Sequence, residues 1–355
     1  MSDSLFLGID SGATTSKIAA VRDDGSVFPS ELLQRPTGSE GGPEGVIRAW
    51  MRAIDEYMAE HGIKWSQIAG VGLAVPGPRR SYGVLDSGPN LPDSFNGWNV
   101  EQDLISALKQ ASGRMLPLAL GNDGNMGGVA EAHHAIGDQR AGVVMLAPGS
   151  GLGGAYIDPT GMCLDGDHLA GMEVGHMAAP LHLLDVPALT CGCGRTWGCF
   201  EMYTALAGLP DLLNLALPRY PDHVLADPSL GKKERVLKLR GLAQDGDALA
   251  LELFDLQAKA MGLLVGQLAM AVDPACFVIG GGLIDPDATT EAFRSRYLGG
   301  IESAALAYLW PTQRETLRIV PASLGEQSQA IGAAHVARLT VKAGSSVQPF
   351  SSTSR

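Results

Sequence analysis

The chain has 355 residues, of which 45% are hydrophobic and only 6% aromatic, with 46 glycines. That composition fits a Gly-rich globular protein long enough for two domains and excludes a disordered or fibrous one. The formal charge of −12 argues against a nucleic-acid partner, because phosphate backbones are bound by basic surfaces.

No apolar run approaches the roughly 18 residues that a membrane span needs. The first ten residues, Met-Ser-Asp-Ser-Leu-Phe-Leu-Gly-Ile-Asp, lack a basic stretch ahead of an apolar one, so no membrane partner and a cytoplasmic location are expected.

In chain order, Leu5–Ile9 reads as a strand, followed by the turn Asp10-Ser-Gly-Ala-Thr-Thr-Ser-Lys17 and a second strand, Ile18–Val21. Val46, Ile47, Trp50, Met51, Ile54 and Met58 recur at helical spacing, closed by His61-Gly62. Ile68–Val75 reads as a buried strand stopped by Pro76-Gly77-Pro78, and Val100–Gln110 as a helix.

Leu116–Leu120 is expected to be a strand delivering Gly121-Asn-Asp-Gly124 at its end, where α/β proteins keep their chemistry. Ala141–Ala147 reads as a strand running into Pro148-Gly-Ser-Gly-Leu-Gly-Gly154, and Cys276–Ile279 as one running into Gly280-Gly-Gly282. Between them, residues 205–272 are predominantly helical, and 346–355 read as a disordered tail. No internal sequence repeat is evident.

Three glycine-rich turns thus follow strands. Glycine has no Cβ to hold a ligand off the backbone, so each turn can bring N–H groups close to a phosphate. Together, beside hydroxyls and an acid, they point to a nucleotide site. None has the P-loop spacing or the Rossmann fingerprint.

In a reducing compartment, clustered cysteines are metal ligands or redox groups rather than disulfides. Cys191, Cys193 and Cys199 lie within nine residues, with His176 upstream in Glu173-Val-Gly-His-Met. Three thiolates and an imidazole form the closed set that structural Zn2+ prefers. Cys276 sits in an apolar strand and reads as core. His133 and His134 read as surface or helix-end residues.

The turn Gly8-Ile-Asp10-Ser-Gly12-Ala-Thr14-Thr15 resembles the phosphate turn of the actin-like superfamily. With the cysteine loop added, the chain is identified as a member of the ROK family of sugar kinases. The matching pieces keep the family's order from Leu5 to about Leu339: the first turn, Val75-Pro-Gly-Pro78 with Pro89-Asn-Leu91, Asn122-Asp123, the Gly149 loop, Glu173-x-Gly-His176, the cysteines ending in Glu201, Gly280–Gly282, and Leu324-Gly325 leading into Ala330-Ile-Gly-Ala-Ala334. The family also holds repressors with a helix-turn-helix ahead of the kinase body, but only four residues precede the first expected strand.

The resemblance implies a two-lobed α/β fold of the actin-like ATPase (ribonuclease-H-like) kind with a zinc-binding loop. The expected lobes are residues 1–120 with 322–345, and 121–321, with substrate in the cleft between them. It implies ATP-dependent phosphorylation of the 6-hydroxyl of a hexose, with glucose expected and N-acetylmannosamine, N-acetylglucosamine, fructose or allose as alternatives. A homodimer is the family expectation, and a non-catalytic sugar sensor the reading outside the enzyme class.

Residue by residue, the resemblance implies Asp123 as general base, and Gly77, Asn122, Asp123, Glu173, His176 and Glu201 as sugar contacts. Asp10 would hold Mg2+ through water while Gly12, Thr14 and Thr15 face the phosphates of ATP. Gly149, Ser150 and Gly151 would form the second phosphate loop, and Gly281 and Gly282 the adenosine turn. His176 would ligate zinc, with Cys191, Cys193 and Cys199, through one ring nitrogen and meet the sugar through the other.

Three departures stand out. The first turn usually continues Gly-Thr-Lys, so that lysine's phosphate contact is either absent or taken over by Lys17. Met172 stands where glycine or alanine is common, and Ala147-Pro148 replaces a more usual Gly-Thr.

Overall fold

The computed structural model describes residues 4–29, 31–75, 83–85, 93–137 and 139–344. Gly77, Arg79, Arg80, Tyr82, the run Pro89-Asn-Leu91 and the tail 346–355 lie outside the described residues. No helix among those described is long and apolar enough to cross a membrane.

The chain forms two compact units. The first comprises residues 1–138, 160–171 and 324–355, and the second 139–159 and 172–323. This corrects the boundary expected at residue 120.

Within the first unit, β1 (Leu5–Ser11), β2 (Thr15–Arg22), β3 (Leu33–Pro36), β4 (Ile68–Val75) and β7 (Leu118–Asn122) form a sheet in the order β3-β2-β1-β4-β7. A separate pair, β5 (Val84–Leu85) and β6 (Trp98–Asn99), runs antiparallel. β1 is antiparallel to β2 and parallel to β4, which is parallel to β7. That last pairing, Val71↔Leu118 through Val75↔Asn122, is why residues 121–138 belong here.

β7 starts two residues later than expected because Pro117 has no N–H to give a ladder; its carbonyl accepts from Val71 instead. β3 was invisible in the sequence, since its Leu-Gln-Arg-Pro has a single buried apolar residue.

One face of the sheet is covered by α1 (Gly42–Glu60) and α2 (Val100–Ser112), whose buried Trp50, Ile54, Tyr57, Leu104 and Leu108 join Ile9, Ile18 and Leu73 in one core. The C-terminal helix, Ser328–Lys342, covers the other face through Ala330, Ile331 and Ala334 against Phe6 and Ala19. It lies so close that a Cβ on Gly72 would stand 1.9 Å from the Ala333 carbonyl oxygen. Only glycine permits that approach.

α3 (Asp123–Ile136) packs on the same helix, with His133 and His134 in its last turn as expected; His134 is exposed, while half-buried His133 lies 4.2 Å, ring to ring, from buried His335. Buried Glu131 accepts from the Leu324 N–H at 2.8 Å. These contacts return the C-terminal segment to the first unit.

In the second unit, β8 (Val143–Pro148), β9 (Leu152–Ile157), β10 (Cys276–Ile279) and β11 (Arg318–Pro321) are ordered β11-β10-β8-β9. β9 is antiparallel to β8, while β8, β10 and β11 are parallel. Read as β9-β8-β10-β11, the sheet repeats the directions of β2-β1-β4-β7, a duplication without a sequence counterpart. β9 escaped detection because its Gly153-Gly154 pair hides the strand alternation. The core centres on the helix Ala248–Val272, and Cys276 is fully buried in β10 as expected.

Candidate functional site

Each unit presents its own cluster. In the first, β1 and β7 are parallel neighbours of β4, so their carboxyl ends lie on one edge, where open α/β sheets bind ligands. Asp10 is in register with Ala74, and Ala74 with Gly121. Two inter-strand spacings, roughly 10 Å, therefore separate the Asp10 and Gly121 backbones.

β1 turns into β2 through Gly12–Thr14, closed by the Gly12 N–H donating to the Thr15 carbonyl at 2.9 Å. The segment after β3 holds this turn from behind. Thr37 donates its N–H to the Thr14 carbonyl at 2.9 Å and its hydroxyl to that of Gly12 at 2.8 Å, and the Ser39 hydroxyl donates to Ala13 at 2.9 Å. Gly12, Thr14 and Thr15 are left exposed.

Asp123 opens α3. The helix is capped not by Asp123 but by Asn122, whose side chain accepts from the Asn125 N–H at 3.2 Å. The Asp123 carboxylate accepts from the Gly124 N–H at 2.7 Å. Burial raises the Asp123 pKa above the ordinary carboxylate range, partly offset by that hydrogen bond. Burial likewise pushes Asp10 up to about 6, opposed by Lys17 and reinforced by the charges of Asp123 and Glu326. Lys17 donates to the Glu326 carboxylate and to the Glu326 carbonyl, each at 3.1 Å. Glu326 gave no sign in the sequence, since 309 positions separate it from Lys17.

Asp10 makes a prediction about stability. Its pKa is about 6 in the folded chain against 3.8 as the reference, so the folded state binds this proton more tightly. The stability it contributes is fully present below pH 3.8 and is lost as pH rises through about 6. Without metal, Asp10→Asn should therefore unfold at higher urea than the parent at pH 7.5, by about 1–3 kcal/mol, with the gain vanishing near pH 4. A variant less stable at pH 7.5 would contradict this.

In the second unit, the register Pro148↔Leu152 makes Gly149–Gly151 the tip of the β8–β9 hairpin. The Gly149 and Ser150 carbonyls accept from the Leu206 and Ala207 N–H groups at 2.9 and 3.0 Å. Beyond β10, Gly281 has φ +87°, and a Cβ there would stand 2.0 Å from the Pro148 carbonyl, so the turn lies against the hairpin base.

Beside both lies a pocket of about 150 Å3 lined by Gly149, Gly282, Leu206, Val236, Leu237 and Arg240 among others. The helical character of its walls was expected, but their convergence on one pocket was not legible in sequence, because no motif joins positions so far apart.

The cysteine loop lies on the same unit. Cys191 accepts from the Gly194 N–H and donates its own N–H to Arg195, each at 2.9 Å. Ala178 bridges Cys199 in antiparallel fashion, which brings His176 to the thiols. The ligand atoms of His176, Cys191, Cys193 and Cys199 all lie within 4.8 Å of one another. Cys193 Sγ is 3.8 Å from Cys199 Sγ, and Cys191 Sγ is 3.7 Å from His176 Nδ1.

Sulfurs on a tetrahedral Zn2+ with bonds of about 2.3 Å would be about 3.8 Å apart, so the donor set fits that ion. The thiols differ in acidity: the Arg195 amide pulls Cys193 down to about 6, while burial pushes Cys199 up to about 12.

Glu201 spans from this loop to the hairpin. Its Oε1 is 3.6 Å from Cys191 Sγ, and its Oε2 accepts from the Leu152 N–H at 3.1 Å. Glu173 is exposed, just before the short turn Val174–His176. Met172 has φ +62°, which explains why glycine suits that position. Trp197 is exposed, with the Arg195 guanidinium 5.3 Å from its ring centroid.

The profile of the ROK family matches residues 6–339. The chain is 26% identical over 335 residues to a glucokinase of Halalkalibacterium halodurans, covering 94% of each chain. It is 27% identical to the N-acetylgalactosamine kinase AgaK of a Shewanella species, over 79% of this chain and 82% of that one. Its fold matches the ROK hexokinase of Thermus thermophilus with a TM-score of 0.71 at 29% identity, over 96% of this chain and all of the other.

Proposed function

The chain belongs to the ROK family and is a sugar kinase of the hexokinase type; from that premise we propose that it transfers the γ-phosphoryl group of ATP to the 6-hydroxyl of glucose. The observation that carries the reading is the pair of half-buried carboxylates, Asp10 and Asp123, at the carboxyl edge of β1-β4-β7, each with a raised pKa.

In this reading Asp123 takes the proton of the attacking 6-hydroxyl as the oxygen bonds to phosphorus and ADP leaves, giving hexose 6-phosphate. Asp10 would hold Mg2+ through water, and the ion would neutralise phosphate charge. The turns at Gly12, Thr14 and Thr15 and at Gly149, Ser150 and Gly151 receive the phosphates. Lys17 joins them on leaving Glu326. The pocket beside Gly281 and Gly282 takes the adenosine.

Asn122, Glu173, His176 and Glu201 take sugar hydroxyls. His176 Nδ1 faces the thiols, leaving Nε2 for the substrate, while Zn2+ on His176, Cys191, Cys193 and Cys199 would fix the ring. The chain acts as a homodimer in the cytoplasm.

A coupled kinase assay over a hexose panel tests the substrate. The kcat/KM for glucose should exceed those for N-acetylglucosamine and N-acetylmannosamine by about a hundredfold or more, the order that a site built for a 2-hydroxyl can reach. Comparable values for an acetamido sugar would move the assignment to the second reading, which the N-acetylgalactosamine and N-acetyl-D-glucosamine kinases among the relatives favour.

A further inference from the structure

We propose that the groove between β3 and the N-terminal half of α1 binds a phosphate-bearing anion, through guanidinium groups that the kinase reading leaves unused. The groove holds about 410 Å3, open to solvent, and is lined by Arg35, Glu40, Arg48, Arg52 and Glu56 together with glycines of the intervening turn. Arg35 comes from β3; Arg48 and Arg52, four residues apart on α1, share one face of the helix. In a chain of net charge −12, three arginines around one groove run against the general composition.

Of the carboxylates beside them, Glu56 pairs with Arg35 and Glu44 with Arg48, while Glu40 pairs with none of the three among the described residues. Arg35 is aimed by Glu56, donating from Nε at 2.7 Å, and its Nη1 donates to the Gln34 carbonyl at 2.9 Å. That leaves Nη2 without a hydrogen bond among the described residues. Among the described residues Arg48 pairs only with Glu44, at 3.3 Å between exposed side chains, a contact of little strength in water. Arg52 has no hydrogen bond or ion pair among the described residues.

A planar guanidinium offers two parallel N–H donors to a tetrahedral oxyanion, and arms from two elements can reach different oxygens of the same group. Phosphate, as a free ion or as a monoester, is the ligand chemistry that matches.

Calorimetric titration tests this with inorganic phosphate and with glucose 6-phosphate, on the full chain held in excess glucose and the non-hydrolysable nucleotide AMPPNP. One anion should bind the parent chain. Arg52→Gln should weaken it by about tenfold or more, the scale of a lost charge-assisted hydrogen bond, and Arg35→Gln with Arg52→Gln should remove it. Arg52→Lys should retain part. The thermal midpoint, AMPPNP binding and kcat should stay unchanged in these surface variants, which separates the groove from the nucleotide residues even if the kinase reading fails.

Tighter binding of the ester would name an organic phosphate as the ligand, and tighter binding of inorganic phosphate the free ion. Equal affinity in parent and double variant, or no binding by the parent at millimolar concentration, would overturn the proposal.

Discussion

Replacing Asp123 with asparagine should lower kcat by about a thousandfold or more, while glucose binding stays within a few-fold. The amide oxygen can keep the 2.7 Å hydrogen bond from the Gly124 N–H, and Asn122 still caps α3, so the loop geometry survives. What would be lost, in the proposed reading, is the basic oxygen that takes the hydroxyl proton.

The pH profile checks the same residue. Burial raises the Asp123 pKa, and the base works only when ionised. The acid limb of kcat/KM should therefore lie above the pH at which an ordinary aspartate, near 3.9, loses its proton. A variant turning over near the parent rate would remove Asp123 as the base.

Metal analysis should find about one zinc per chain, and Cys199→Ser should lose both the metal and several degrees of thermal midpoint. Cys199 is fully buried and sits at the bridge to Ala178, so its thiol would be both a ligand and part of the packing. Because ligand sets of this kind are assembled only in the folded chain, metal binding free energy adds to folding free energy.

The damage should reach Glu201. Its carboxylate lies 3.6 Å from Cys191 Sγ and accepts from the hairpin amide of Leu152. Loss of the metal should thus raise KM for the sugar as well as lower stability. Chelator treatment should reproduce both effects, and added Zn2+ should reverse them in the parent but not in the variant. A metal-free preparation with full activity and the parent midpoint would sink the assignment.

The local chemistry was legible in the sequence because it is written in adjacent residues. Cys191, Cys193, Cys199 and His176 could be paired by type and spacing alone, and the structure brings their ligand atoms within 4.8 Å. The strands leading into Asp10, Asp123, Gly149 and Gly281 were readable because buried parallel strands are short apolar runs. β3 and β9 carried no such run, one being mostly polar and the other disguised by paired glycines.

What only the tertiary structure decided are the relations between distant residues. The sequence placed the boundary at residue 120, but hydrogen bonds between β7 and β4 and the packing of α3 on the C-terminal helix carry the chain on to residue 138 before it leaves the first unit. Lys17 meets Glu326 across 309 positions. The repeat of β2-β1-β4-β7 in β9-β8-β10-β11 has no sequence trace, because a strand's direction and neighbours depend on backbone pairing and on burial, which many different apolar side chains satisfy equally well.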